Sequence, residues 1–136
     1  MANTFLDRGE RSIRMSYYLL ANALAVLRER LPSNDPARRL GDPWLAHIED
    51  ELGYVLLDET LLEDREGVRR LRDVLQELVN ELGRGESPPE PTINWKYSRT
   101  YFKNEITLDT CRRLVIFLDE VIADQEAEAA GSKRSP

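Results

Sequence analysis

Cysteine, histidine and lysine are nearly missing from this chain of 136 residues. A single cysteine, Cys111, excludes an intrachain disulfide and a Cys-rich zinc cluster, and it suits a reducing compartment. A single histidine, His47, excludes the paired Glu-x-x-His motifs of a di-iron bundle, and Trp44 stands where its glutamate would be. Lysine occurs 3 times against 16 arginines, a bias typical of a high-GC bacterial or phage genome. No apolar run approaches the roughly 18 residues of a membrane span. Asp7 and Arg8 fall where a secretory signal would carry its apolar core, so a cytoplasmic protein is expected. No glycine-rich phosphate loop is present, since Gly83-Arg84-Gly85 follows a helical pattern and leads into prolines.

Basic charge is also scarce. Twenty-five acidic residues against 19 basic ones give a net charge of −6, which disfavours a surface built to neutralise nucleic-acid phosphates. Hydrophobic residues at 41% are nonetheless enough for one globular domain with its own core.

What is present reads as helices. Leu6, Ile13, Tyr17, Leu20, Leu24, Leu27 and Leu31 advance by threes, fours and sevens, predicting a first helix from residue 3 or 4 to 31 with Gly9 as its weak point. Asp35-Pro36 and Asp42-Pro43 each pair a carboxylate cap with a proline at the first helical position, and Gly41 reads as the stop of a short turn over 37–40. A second helix over 43–59 then buries Trp44, Ile48, Leu52 and Val55 or Leu56. A third, over 63–82, carries Val68, Leu71, Leu75, Leu78 and Leu82, with Gly83 as its C-terminal stop. A fourth, over 107–129, turns Leu108, Cys111, Leu114 or Val115, Leu118, and Val121 or Ile122 inward. The expected fold is an all-α four-helix bundle in one domain, 1–130, with a disordered tail, 131–136. A Pro/Gly-rich linker over 84–90 and a short extended aromatic segment over 93–102 precede the last helix.

Charge is unevenly distributed. Residues 43–66 sum to −7 and 105–130 to −5, whereas 1–31 and 84–103 each sum to +2. The leading expectation is a non-enzymatic interaction module of the immunity, inhibitor or assembly-factor kind, able to form a homodimer. It would bind a basic face of another protein through Glu49, Asp50, Glu51, Asp58, Glu59 and Glu63. The alternative is an anion or nucleic-acid contact built from Trp95, Lys96, Tyr97, Arg99, Tyr101 and Lys103, with the arginine row Arg65, Arg69 and Arg72. The same row also reads as a solvated face of ion pairs to an acidic neighbour.

Metal chemistry ranks lowest. His47, Asp50 and Glu51 share one turn, too few ligands for a metal site, and no cofactor is expected. Glu63 and Glu66 have the spacing seen in all-α nucleotide pyrophosphohydrolases. The second acidic motif of those enzymes fails here, because Glu77 is followed three residues later by Asn80. An acidic first helical turn, favourable to the helix dipole, accounts for the pair.

Overall fold

The computed structural model describes residues 3–50, 55–86 and 104–134. The N-terminal residues form a β-hairpin, strands β1 (Asn3–Arg8) and β2 (Arg11–Ser16), followed by helices α1 (Tyr17–Arg30) and α2 (Arg38–Asp50). A two-residue strand, β3 (Val55–Leu56), leads into a 3-10 turn (Glu59–Glu63) and then α3 (Arg65–Gly83) and α4 (Asn104–Arg134). The sheet order is β2-β1-β3, with β1 antiparallel to β2 and parallel to β3. The expected all-α class is therefore corrected: the four helices are present, but a small sheet is added to them.

The physical reason lies in residues 3–16. Leu6 and Ile13, seven apart and thus alike to a helix, are partners across the hairpin. Thr4 faces Met15 in the same way, and all four side chains are buried on the inner face of the sheet. Between them Ser12 and Arg14 point to solvent, so the true period is two. Gly9 has φ +61, and no non-glycine residue among those described has positive φ. Gly9-Glu10 thus matches the sign pattern of a two-residue II′ hairpin turn, whose twist suits the flanking strands. A mid-helix Gly9 would make Gly9→Ala stabilising by about 1 kcal/mol. In the hairpin the same change forces alanine into the left-handed region and costs about 1 kcal/mol instead. A Cβ there meets nothing within 4 Å, so the effect is conformational, and the sign of the shift in urea midpoint decides between the two structures.

Helix α1 sits at the centre. Every residue from Leu20 to Leu27 is buried, as a helix surrounded on all sides requires. Helix α2 starts earlier than expected and runs through both Gly41 and Pro43. Gly41 is no stop: it lies inside α2, buried, where a Cβ would make an ordinary contact with Leu24 Cδ2 at 3.6 Å. Asp42 pairs with Arg38 within the helix at 2.9 Å and does not begin it. Asp35 does act as a local cap, accepting the Ala37 N–H at 2.9 Å and Arg70 Nε at 3.1 Å.

The expected second helix over 43–59 is shorter, since α2 ends at Asp50, and Leu56, expected inside as the alternative to Val55, is 56% exposed. Helix α3 begins one residue after Asp64, whose carboxylate accepts the Gly67 N–H at 3.0 Å. It ends in a Schellman closure: Gly85 has φ +80, its N–H reaches the Leu82 carbonyl, and the Glu86 N–H reaches that of Glu81. Gly85, not Gly83, is the left-handed residue. The stripe Val68, Leu71, Leu75, Leu78 and Leu82 is buried as expected, in one core with Cys111, Leu114, Leu118 and Val121 of α4, the helix that α3 packs against. The expected extended segment over 93–102 lies outside the described residues, as does most of the 84–90 linker.

Candidate functional site

The acidic half of the molecule divides into carboxylates with internal partners and carboxylates without. Five of α4, Asp119, Glu120, Asp124, Glu126 and Glu128, have partners, whereas Asp109 is exposed without one among the described residues. On one flank the hairpin supplies Arg8, 3.1 Å from Glu128, and Arg11, 3.1 Å from Glu120 and 3.0 Å from Asp124. On the other flank α3 supplies Arg69, 2.9 Å from Glu126, and Arg72, 2.7 Å from Asp119. The Arg11 guanidinium holds the Asp124 carboxyl below the usual carboxylate range. These are solvent-facing pairs, each worth about 0–1 kcal/mol, so their main effect is to cancel the field of α4. Arg69 and Arg72 of the expected anion site are thereby engaged, while Arg65 is exposed.

The six expected docking residues separate. Glu49 is half-buried and turned to Arg28 at 3.6 Å. Glu63 is 3.2 Å from Arg8 but keeps two thirds of its side chain in solvent (66%). Glu51 lies outside the described residues, as do Trp95, Lys96, Tyr97, Arg99, Tyr101 and Lys103. Asp50, Asp58 and Glu59 are exposed and have no cationic partner within salt-bridge distance among the described residues.

Local chemistry sets this second group. The indole N–H of Trp44, buried in α2, donates to the Asp58 carbonyl at 3.0 Å and fixes the entry to the 3-10 turn. The Asp58 carboxylate then accepts the Thr60 hydroxyl and, at 3.0 Å, the Thr60 N–H. Those donors, the hydroxyl first, hold its pKa below the ordinary value, with His47 adding a smaller electrostatic contribution. Asp58 therefore stays charged at neutral pH. Asp50 follows His47 by three residues on the same stripe of α2. Leu56, in the edge strand β3, adds an exposed apolar side chain next to Asp58 and Glu59 in sequence. Charge counting found the carboxylates; it missed Leu56, which the helical reading of 43–59 placed inside.

Neither nucleophilic nor metal chemistry gains support from the geometry. Cys111 is buried, and burial alone pushes its thiol up to about 12. Among the described residues no group of three or more His, Cys, Asp or Glu is placed to hold a metal ion, and no helix is long and apolar enough to cross a membrane. Comparison with protein-family models, with curated proteins and with solved structures found no match.

Proposed function

We propose that this chain is a non-enzymatic cytoplasmic interaction module that docks on a basic face of another protein through Asp50, Asp58, Glu59 and the outer part of Glu63, with Leu56 as the apolar contact. One observation carries this reading: Asp119, Glu120, Asp124, Glu126 and Glu128 of α4 each face an arginine of the same molecule, whereas Asp50, Asp58 and Glu59 have no cationic partner within salt-bridge distance among the described residues. Uncompensated charge beside an exposed apolar side chain is the combination that speeds encounter and then fixes the partner.

The test is a double charge reversal, Asp50→Lys with Glu59→Lys, which spares the Asp58 cap. Both sites are exposed, so stability should change by no more than about 0.5 kcal/mol each. Association with the partner captured from host extract should slow about tenfold or more at low ionic strength and lose most of its salt dependence. Unchanged capture with unchanged salt dependence would discard this face.

A further inference from the structure

The opposite edge of the sheet offers a different surface. In a hairpin closed by a two-residue turn, the residues flanking the turn exchange backbone hydrogen bonds, and such pairs then alternate with open ones. With Arg8 paired to Arg11, the hydrogen-bonded pairs are Leu6 with Ile13 and Thr4 with Met15, while Ser12 and Arg14 sit opposite Asp7 and Phe5 in open pairs. The N–H and C=O groups of Ser12 and Arg14 therefore point away from β1. Strand β2 is terminal in the sheet, and no strand covers that side among the described residues. A contact from α4 confirms the direction: Arg113 Nη2 donates to the Arg14 carbonyl at 2.6 Å.

A shallow groove of about 260 Å³ lies between this edge and α4. Ile13 and Phe117 are buried at its floor, and Ile116 stands at its rim, 58% exposed. Arg14 and Arg113 line it, are exposed and have no carboxylate partner among the described residues. Glu120, also in the lining, is taken by Arg11.

We infer that the outer edge of β2 binds an extended, acidic peptide by strand addition, its backbone pairing with Ser12 and Arg14, an apolar side chain meeting Ile116, and its carboxylates meeting Arg14 and Arg113. Backbone pairing supplies affinity in such a mode and alternate side chains supply selectivity. Arg113 is the removable guard of the edge. Its single hydrogen bond to the Arg14 carbonyl exchanges for a peptide N–H and frees the guanidinium for a carboxylate. A second copy is the poorer occupant, because pairing β2 with β2 would set the two groups of arginines against each other. This site lies at the far edge of the sheet from β3 and stands independently of the acidic face.

The test uses a fluorescein-labelled capped hexapeptide alternating glutamate and valine, with the lysine–valine analogue as control, read by anisotropy on the full chain. The glutamate peptide should bind at least about tenfold more tightly than the lysine peptide. The Arg14 N–H should exchange quickly in the free protein and slow when the glutamate peptide is added. Arg14→Pro removes only an outward N–H from the strand, so it should weaken binding about tenfold beyond the charge-matched Arg14→Gln. Ile116→Asp, on α4 and clear of the strand, should weaken it to a similar degree and covers the case in which Arg14→Pro misfolds. Four results would each overturn the inference: equal affinity for both peptides; no effect of Ile116→Asp together with equal binding by the two Arg14 variants; slow exchange of the Arg14 amide in the free protein, which would mean an edge already covered; or protection that grows with protein concentration, which would make the occupant a second copy.

Discussion

Trp44→Ala is expected to remove about 3–5 kcal/mol of stability, the range for deleting a large buried aromatic side chain. Trp44 is 1% exposed and sits among Leu40, Leu45 and Ile48 of its own helix, each essentially inaccessible to solvent. A domain of this size holds about 5–15 kcal/mol in total, so the variant should retain a folded state with its urea midpoint lowered by a large fraction.

Trp44→Phe separates packing from the hydrogen bond. The ring is kept in part, and the Asp58 carbonyl loses its 3.0 Å donor. Asp58 is exposed, so water takes the vacated place, and the hydrogen-bond share of the cost should be near 1 kcal/mol. The informative effect is local. Once the entry to the 3-10 turn is no longer fixed, amide exchange at Thr60, which is held by the Asp58 carboxylate, should accelerate more than exchange in α3. Equal acceleration at both places would mean that Trp44 supports the core and not the acidic face.

How much of this was legible in the sequence depended on whether a pattern had one physical cause or two. The stripe of α3 had one: Val68, Leu71, Leu75, Leu78 and Leu82 recur at helical spacing, and all are buried. Leu6 and Ile13 had two, since a spacing of seven fits two helical turns and also fits partners across a two-residue turn. Gly9 and the alternation Ser12, Ile13, Arg14, Met15 were the signals that separate these cases. Gly41 was ambiguous in a similar way. It reads as a stop by propensity, but it lies within α2, buried beside Leu24, 17 positions earlier. Local rules carry no information about such a neighbour.

The site was half legible for the same reason. Counting charge along the chain correctly marked residues 43–66 and 105–130 as acidic. Which of those charges stay uncompensated is a question of tertiary pairing. Arg8 neutralises Glu128 across 120 positions of sequence, and Arg11 reaches Asp124 across 113. The outcome sharpens the contrast that charge totals drew: five carboxylates of the acidic helix α4 are paired in space, while Asp50, Asp58 and Glu59 in the other acidic segment have no cationic partner among the described residues. The basic groove at β2 was hidden altogether, because its arginines come from two segments that each looked unremarkable, around Arg14 and Arg113.

Gly67→Ala should destabilise the protein by about 2 kcal/mol, against the roughly 1 kcal/mol gain that helix propensity alone assigns to this exchange. Gly67 occupies the third position of α3, and its N–H is the one the Asp64 cap accepts. A Cβ built there would lie 2.5 Å from Leu40 Cδ1 and 2.7 Å from Asp64 Oδ2, closer than packed atoms tolerate. Neither neighbour can withdraw cheaply. Leu40 is fully buried, and the Asp64 carboxylate is held from the other side by Arg39, with contacts of 2.7 and 3.0 Å. The methyl group must therefore displace core packing between α2 and α3 or break the cap. A double-mutant cycle identifies which. If Leu40 gives way, Leu40→Ala should cost clearly less in the Gly67→Ala background than its usual 2–5 kcal/mol, with an interaction energy of about 1 kcal/mol or more. If the cap gives way, Asp64→Ala should lose most of its own cost in that background while Leu40→Ala keeps its full effect. Additivity with both partners, measured by urea unfolding, would show that neither contact limits residue 67 and that the close approach of α2 to the start of α3 is looser than these distances imply.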